Sequence, residues 1–146
     1  MRKIILYIVI FFGITSFRTV GSSTAYLKCK SESGRTIFNA EIQDIDGGLE
    51  KAELIVDGVK LNFDNDDDAK VILDSKNGIY TIFIESKSKS KFLKFWAIPK
   101  TFKTVIENSS ESKYDFKAKI YSTEPRKGKD LQTPEIELNC SLNYKI

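Results

Sequence analysis

The end of the chain has the most regular pattern, because apolar and polar residues alternate without exception from 135 to 146. The apolar positions there are Ile136, Leu138, Cys140, Leu142, Tyr144 and Ile146. The segment 113–121 alternates in the same way, with apolar positions Tyr114, Phe116, Ala118 and Ile120. Side chains with a period of two lie on opposite faces of a β-strand. Both segments are therefore predicted to be antiparallel strands with one buried and one wet face.

Shorter alternating segments precede these two strands, and turn residues separate them. We assign strands at 27–30, 36–43, 52–56, 59–63 and 70–73. Asp57-Gly58 and Asn77-Gly78 suit two-residue hairpin turns, in which both central residues need positive φ. Asp46-Gly47-Gly48 marks another turn, and 44–53 could hold one short helical turn. The pattern predicts a single all-β domain of about nine or ten strands, either an antiparallel β-sandwich or a small β-barrel.

Residues 1–25 have the pattern of a secretory signal peptide. Arg2 and Lys3 precede an apolar run at 4–12, and a stretch of small residues ends at Ala25. The apolar run is shorter than the roughly 20 residues that span a bilayer. We therefore expect cleavage after Ala25, a mature domain at 26–146 without a transmembrane segment, and a periplasmic or extracellular location.

Removal of this segment also removes the net charge of the chain. The full sequence has 23 basic and 20 acidic residues, and residues 1–25 contain Arg2, Lys3, Arg18 and no acid. The mature chain is therefore neutral overall. Net charge gives no support for nucleic acid as a partner.

Two cysteines remain after cleavage, Cys29 near the start and Cys140 near the end. An isolated even pair in an exported chain is most simply a disulfide. The alternation places both side chains on buried faces, so the bond would join the first and last strands. Closing a loop of 111 residues stabilises the fold by about 4.7 kcal/mol in chain-entropy models. The alternative is a redox-active or metal-binding pair, which would need a nearby cysteine or histidine.

Two segments, 79–84 and 92–98, are apolar on both faces, and the polar stretch 85–91 is expected to join them as a hairpin loop. Exposed apolar patches often mark contacts with partners. If the faces that carry Thr81 and Lys94 point outward, an aromatic patch lies beside several lysines. The candidate binding residues are Thr81, Phe83, Lys87, Lys89, Lys91, Phe92, Lys94 and Trp96. The alternative is that the protein's own loops cover this face, or that a barrel interior accounts for the apolar residues.

A second candidate surface is the stretch 122–133, which is expected to be the longest irregular connection. Its basic residues Arg126, Lys127 and Lys129 would form a local tip suited to recognition, and a solvated crossover is the alternative. The acidic run 64–68 invites a calcium hypothesis. Ala69 and Ser75, however, occupy the places of the glycine and glutamate that an EF-hand loop requires. A solvated turn is the other interpretation of this run.

The chain contains no histidine, which excludes Ser-His-Asp and Cys-His catalysis and zinc sites built on imidazole. No Gly-x-Ser-x-Gly elbow and no phosphate-binding glycine loop occurs. We therefore predict no catalytic residue, no metal ligand and no cofactor. A hydrolase that uses a pair of carboxylates stays open, because such sites have no local motif.

Four short segments resemble small periplasmic barrels that inhibit lysozyme: Tyr26-Leu27-Lys28-Cys29, Asp57-Gly58, Asn77-Gly78-Ile79-Tyr80 and Phe95-Trp96. The resemblance covers about the first 75 residues of the mature chain. It implies a barrel that acts by inserting a serine-glycine loop. The corresponding loop here is Asp74-Ser75-Lys76-Asn77-Gly78, and the last third of the chain has no counterpart.

Three function classes remain. The first is an exported, non-catalytic binding module that contacts a protein or envelope polymer through 79–98 and 122–133. The second is a barrel that carries a small apolar ligand, or an inhibitor of the kind just described. Bulky side chains argue for a filled interior instead, namely Phe38, Phe63, Phe116 and Tyr144. The third is an enzyme with two acids in a cleft.

Overall fold

The computed structural model describes residues 24–43 and 48–145. This part of the chain forms eleven antiparallel β-strands and a single 3-10 turn at Ser75–Asn77. The strands are β1 Thr24–Lys30, β2 Thr36–Gln43, β3 Gly48–Val56, β4 Val59–Asp64, β5 Asp68–Asp74, β6 Ile79–Glu85, β7 Phe92–Ala97, β8 Lys103–Glu107, β9 Glu111–Glu124, β10 Gly128–Gln132 and β11 Ile136–Lys145. They build one curled sheet, a half-barrel, which confirms the predicted all-β class.

The strand order across the sheet is β4-β3-β2-β1-β11-β9-β7-β6-β5, with β8 and β10 also paired to β9. The long strand β9 organises this arrangement. Different parts of β9 pair with four other strands, namely β7, β8, β10 and β11. Because β1 pairs with β11, the first and last strands lie side by side near the middle of the sheet.

The two outermost strands of this order, β4 and β5, are consecutive in the chain. A tight turn joins them, in which the backbone N–H of Asp67 donates to the carbonyl oxygen of Asp64 at 3.1 Å. The loop between β6 and β7 crosses towards β4, where Lys91 Nζ donates to the carbonyl oxygen of Asn62 at 2.9 Å. The same ammonium lies 5.5 Å from the ring centre of Phe63. These contacts draw the two edges of the curled sheet together.

Aromatic rings from four strands fill the inner face. The ring of Phe95 lies 5.3 Å from that of Phe38, 5.8 Å from that of Tyr80 and 6.3 Å from that of Phe116, measured between ring centres. Phe102, between β7 and β8, stacks on Phe116 at 4.3 Å. The alternation predicted for β9 and β11 is confirmed, since their inward side chains are buried at the middle of each strand. The interior is packed with side chains, as in small barrels generally.

Cys29 and Cys140 form a disulfide. They lie directly opposite each other on β1 and β11, and both side chains are buried in the core. The predicted bond between the first and last strands is therefore confirmed. A disulfide is consistent with an oxidising, exported location.

One of the two predicted hairpin turns is confirmed, and the other is wrong. Asp57 and Gly58 both have positive φ, 51° and 81°, and they connect β3 to β4. At the second turn Asn77 belongs to the 3-10 turn, and only Gly78 is left-handed, with φ 65°. The physical reason is the side chain of Asp74, which accepts from the backbone N–H of Asn77 at 3.2 Å and stabilises a helical turn instead.

The expected helical turn at 44–53 is also wrong for residues 48–53, which belong to β3. Residues 44–47 lie outside the described part of the chain, and so does most of the predicted turn at 46–48. The stretch 122–133 is not an irregular connection, because β9 continues to Glu124 and β10 turns back along it. Backbone pairing builds this hairpin, since the N–H of Thr133 donates to the carbonyl oxygen of Ser122 at 2.9 Å. The strand β10 is exposed at every position, so no alternation marked it.

The predicted signal peptide lies almost wholly outside the described residues, which begin at Thr24. Thr24 and Ala25 are the first residues of β1, and Ala25 is buried opposite Ile42 and Tyr144. The expected cleavage after Ala25 stays a prediction. Across 24–43 and 48–145, the structure contains no helix with the length and apolar character to cross a membrane.

Candidate functional site

An aromatic surface covers the outer side of β6, β7 and the end of β9. We define the outer aromatic face as Phe83, Phe92, Trp96 and Tyr121. Strand alternation places these four side chains outward, because their chain neighbours Ile82, Leu93, Phe95 and Ile120 are buried in the core. Five of the predicted binding residues lie on this surface or between its rings, namely Thr81, Phe83, Phe92, Lys94 and Trp96.

Tyr121 is the centre of the outer aromatic face. Its ring centre is 5.8 Å from that of Phe92 and 5.8 Å from that of Trp96, and both pairs meet edge to face. Lys94, directly opposite Tyr121 on β7, places its ammonium 5.3 Å from the ring centre of Trp96. Such cation–π contacts and edge-to-face pairs fix the rings against one another. Phe92, Trp96 and Tyr121 therefore form an ordered cluster on the paired strands β7 and β9, and Phe83 lies beside it on β6, opposite Lys94.

Part of this cluster is open to solvent. Phe83 is 41% exposed, and the neighbouring outward residues Ile72 and Ile79 are 48% and 46% exposed. Phe92, Trp96 and Tyr121 are half-buried, chiefly by one another. Within 24–43 and 48–145 no loop removes Phe83 from water, so the alternative in which the protein's own loops cover this face does not hold for Phe83 there.

The sequence analysis missed Tyr121, although its signal was present. The alternation in 113–121 puts even-numbered side chains inside, so the same pattern puts Tyr121 outside. Its place between Phe92 and Trp96 depends on the pairing of β7 with β9, in which Lys94 lies opposite Tyr121. That register involves residues far apart in the chain, which local patterns do not report.

The three lysines of the loop between β6 and β7 do not share one environment. Lys87 and Lys89 are exposed, whereas Lys91 is bound to the carbonyl oxygen of Asn62 and is part of the sheet closure described above. The hydroxyl of Ser86 accepts from the backbone N–H groups of Ser90 at 3.2 Å and Lys91 at 2.9 Å, which shapes the loop. Lys91 therefore has a structural contact that the sequence did not indicate.

The basic tip of the β9–β10 hairpin contacts a different part of the molecule. Arg126 Nη2 donates to the carbonyl oxygen of Asp57 in the β3–β4 turn at 3.2 Å. The carboxylate of Asp57 also pairs with Arg35 Nε at 2.7 Å. Lys127 and Lys129 are exposed. The structure thus links Arg126 to the β3–β4 turn.

The acidic run 64–68 uses its carboxylates to cap its own turn. Asp64 Oδ1 accepts from the N–H of Asp66 at 3.0 Å, and Asp67 Oδ2 accepts from the N–H of Asp64 at 3.1 Å. Asp67 Oδ1 accepts from the N–H of Lys87 at 3.0 Å, which fastens the β6–β7 loop to the turn. Among the residues that the structure describes, no cluster of three or more acidic or cysteine side chains has the arrangement of a metal site.

Two shallow grooves cross the outer face away from the aromatic cluster. The first, of about 780 Å³, lies over β2, β1, β11 and β9 and is bounded by the segment 98–103. The second, of about 630 Å³, lies over β1 to β4. Two acids line the second groove, but Glu41 is paired with Lys51 and Glu53 with Lys60, each at 2.8 Å. These acids neutralise neighbouring lysines, so the groove offers no pair of free carboxylates.

Two tyrosines of the inner face, Tyr80 and Tyr144, have raised pKa values. Burial raises the pKa of Tyr80 far above its ordinary value, with a smaller contribution from Tyr144, and its hydroxyl has no hydrogen-bond partner in the core. Burial, and then the neighbouring Tyr114, raises the pKa of Tyr144 to about 12. Both groups stay neutral at physiological pH. Neither is activated as a nucleophile or a base.

In comparisons with known proteins, no family model, no curated protein and no solved structure matches this chain. The loop 74–78, where the resemblance to lysozyme inhibitors would need an inserting serine-glycine loop, is the 3-10 turn capped by Asp74. The assignment of a function therefore depends on the surfaces themselves.

Proposed function

We propose that the protein is an exported, non-catalytic β-domain that binds a protein or an envelope polymer through the outer aromatic face. The observation that carries this proposal is an ordered cluster of Phe92, Trp96 and Tyr121 on the solvent side of the sheet, with the exposed Phe83 on the neighbouring strand, opposite Lys94. The buried core is built from inner-face residues and contains none of the four residues of the outer aromatic face.

The chemistry of the cluster suits recognition. Aromatic side chains dominate binding energetics at interfaces, where rigid rings lose little conformational entropy on contact. Strands β6, β7 and β9 hold the rings in place by backbone pairing. Lys94 adds a positive charge at the centre of the cluster, which favours partners that combine apolar and acidic groups.

The two other function classes have weaker support. An apolar ligand inside the barrel would need space, whereas the rings of Phe38, Phe95 and Phe116 occupy the interior. A carboxylate enzyme would need two free acids in one cleft, whereas the two acids of the second groove are paired with lysines.

Trp96 is the single tryptophan of the chain, so its fluorescence reports directly on the proposed surface. We expect an aqueous quencher to reach Trp96 in the free protein, and the bound partner to protect it. Trp96→Ala should abolish capture of the partner from native envelope or medium without unfolding the domain. Tyr26→Ala is the matched control, because Tyr26 is an exposed outward aromatic residue, 42% exposed, on the distant strand β1.

Two results would contradict the proposal. One is equal capture by Trp96→Ala and Tyr26→Ala. The other is an indole that the quencher cannot reach in the free protein.

A further inference from the structure

The first groove of the outer face collects five lysines: Lys28, Lys30, Lys100, Lys103 and Lys117. Strand pairing explains why they meet, although they lie in three separate segments of the chain. Lys28 on β1 lies opposite Ser141 on β11, Ser141 opposite Asp115 on β9, and Asp115 opposite Lys103 on β8. A second row contains Lys30, Asn139 and Lys117. We refer to this surface as the basic groove.

Most of this charge has no ion-pair partner among residues 24–43 and 48–145. Lys117 Nζ pairs with Glu137 at 2.8 Å, whereas the described ion pairs include none of Lys28, Lys30, Lys100 or Lys103. Asp115 is the one acid among the groove-lining residues. The sequence from 26 onward is neutral overall, so this surplus of positive charge is a local feature. Clustered charges of one sign in a concave surface attract ligands of the opposite sign.

In one wall of the basic groove, the backbone of Lys100 has an unfavourable conformation. Lys100 follows Pro99 and has φ 67°, a left-handed conformation that favours glycine. The hydroxyl of Thr101 donates to the carbonyl oxygen of Ile98 at 2.7 Å and accepts from the N–H of Lys117 at 3.0 Å. The segment is thereby fixed to β9. Strained residues of this kind concentrate at functional sites, so a lysine in a glycine position suggests that its charge is needed there.

Apart from Asp115, the floor between the lysines carries no further charge and combines polar side chains with an apolar one, Ile37, which lies opposite Lys30. Asn39, Asn139 and Ser141 lie in the same rows and offer amide and hydroxyl groups. Lysine ammonium groups bind carboxylates or phosphates as point charges, and amides and hydroxyls hydrogen-bond well to sugar hydroxyls. We infer that the basic groove binds an acidic polysaccharide, a hydroxylated chain that carries carboxylate or phosphate groups at intervals.

Two other polyanions fit less well. Proteins that bind single-stranded nucleic acid stack bases on exposed aromatic rings, whereas the single aromatic residue that lines the groove, Phe116, is buried in the core. An anionic membrane favours a basic surface flanked by protruding apolar side chains. The groove is instead a depression, and none of the exposed large apolar side chains lines it. None of its residues belongs to the outer aromatic face, so this inference and the proposed function can fail separately.

The test uses the whole mature domain with polygalacturonate as the anionic probe and dextran as the neutral one. The wild-type protein should bind polygalacturonate and not dextran, with an affinity that falls steeply between about 50 and about 200 mM salt. Lys28, Lys30 and Lys103 are changed together to Gln in one variant. The matched control changes Lys70, Lys76 and Lys145 to Gln, which removes the same charge from exposed positions outside the groove.

We expect the groove variant to bind about 30-fold more weakly at low salt, and the control variant to stay within about threefold of wild type. Lys100→Gly should weaken binding several-fold while the melting temperature stays the same or rises, because glycine relieves the left-handed strain. Affinity and melting temperature, measured together for Lys100→Gly, distinguish loss of a ligand contact from loss of folding.

Three outcomes would overturn the inference. The first is equal loss of affinity in the groove and control variants, which would mean attraction to overall charge alone. The second is unchanged binding by the groove variant. The third is tight binding of inorganic polyphosphate or oligothymidylate with none of polygalacturonate, which would assign the groove to another class of polyanion.

Discussion

The two flanks of the outer face have opposite character, although the same alternating strands build both. Over β1, β2 and β11 the outward residues are mainly polar or charged, apart from Tyr26 and Ile37, and this flank carries the basic groove. Over β6, β7 and the end of β9 they are mainly aromatic. The inner faces of both flanks are equally apolar and buried. The inner face therefore specifies the fold, and the outer face is free to differ between flanks and to carry function.

One of the two largest effects should come from breaking the disulfide that fastens the groove flank at its inner side. Changing both Cys29 and Cys140 to Ala should lower the free energy of unfolding by about 4 kcal/mol, because the bond closes a loop of 111 residues. Denaturant titration measures this loss. A loss below about 1 kcal/mol would mean that strand pairing alone holds β1 against β11.

Neighbouring residues on β7 offer the most direct test of inner against outer face. Phe95 is fully buried, 0% exposed, and contacts three other rings. Phe95→Ala should cost about 3–5 kcal/mol, because it leaves a cavity in the core.

Trp96→Ala, one position later, should cost only about 1 kcal/mol, because Trp96 is half-buried and loses mainly its contacts with Tyr121 and Lys94. Thermal and chemical unfolding of the two variants measure the difference. Similar costs for both would remove the distinction between a structural and a functional face.

The inner face was largely predictable from sequence, and the outer arrangement was not. Alternation at 113–121 and 135–146 places Phe116 and Leu138 inside without any knowledge of the fold. The short strands β8 and β10 were not predicted. Their residues are almost all exposed, so apolar and polar side chains do not alternate along them.

The two outer surfaces depend on long-range register. The rings of Trp96 and Tyr121 meet only because β7 pairs with β9. The basic groove joins β1, β11, β9 and β8 in one row, from Lys28 to Lys103. No local pattern fixes which strands are neighbours, so neither the position of Tyr121 nor the groove followed from the sequence.

The inner face, which is mainly apolar, also contains a buried polar group. The hydroxyl of Tyr80 is buried and has no hydrogen-bond partner in the described part of the chain. Tyr80→Phe should therefore raise the free energy of unfolding by about 1 kcal/mol at neutral pH, since an unsatisfied buried hydroxyl carries a desolvation penalty. Chemical unfolding measures the gain. A destabilised variant would mean that the hydroxyl has a partner in solution.

The same residue predicts how stability depends on alkaline pH. Burial raises the pKa of Tyr80 above the value of about 10 in the unfolded chain, so the unfolded state loses its proton first as pH rises. The contribution of the Tyr80 hydroxyl to the free energy of unfolding is complete below about pH 10. Above that pH it falls by about 1.4 kcal/mol per pH unit. Tyr80→Phe should remove this part of the slope between about pH 10 and about pH 12. An unchanged slope would show that Tyr80 ionises normally in the folded protein.

The smallest effect on stability should come from the ion pair at the border of the two flanks. Lys117 and Glu137 are both more than half exposed, and their hydrogen bond raises the pKa of Lys117 and lowers that of Glu137. Exposed ion pairs contribute little to stability, so Glu137→Gln should shift the melting temperature by no more than about 1 °C. Its effect on binding should be larger, because it frees the charge of Lys117 to face the basic groove. Polygalacturonate should then bind about two- to fivefold more tightly at low salt, and the gain should vanish at high salt. Unchanged affinity at low salt would mean that Lys117 lies too far from the bound polymer, and would restrict the binding surface to Lys28, Lys30, Lys100 and Lys103.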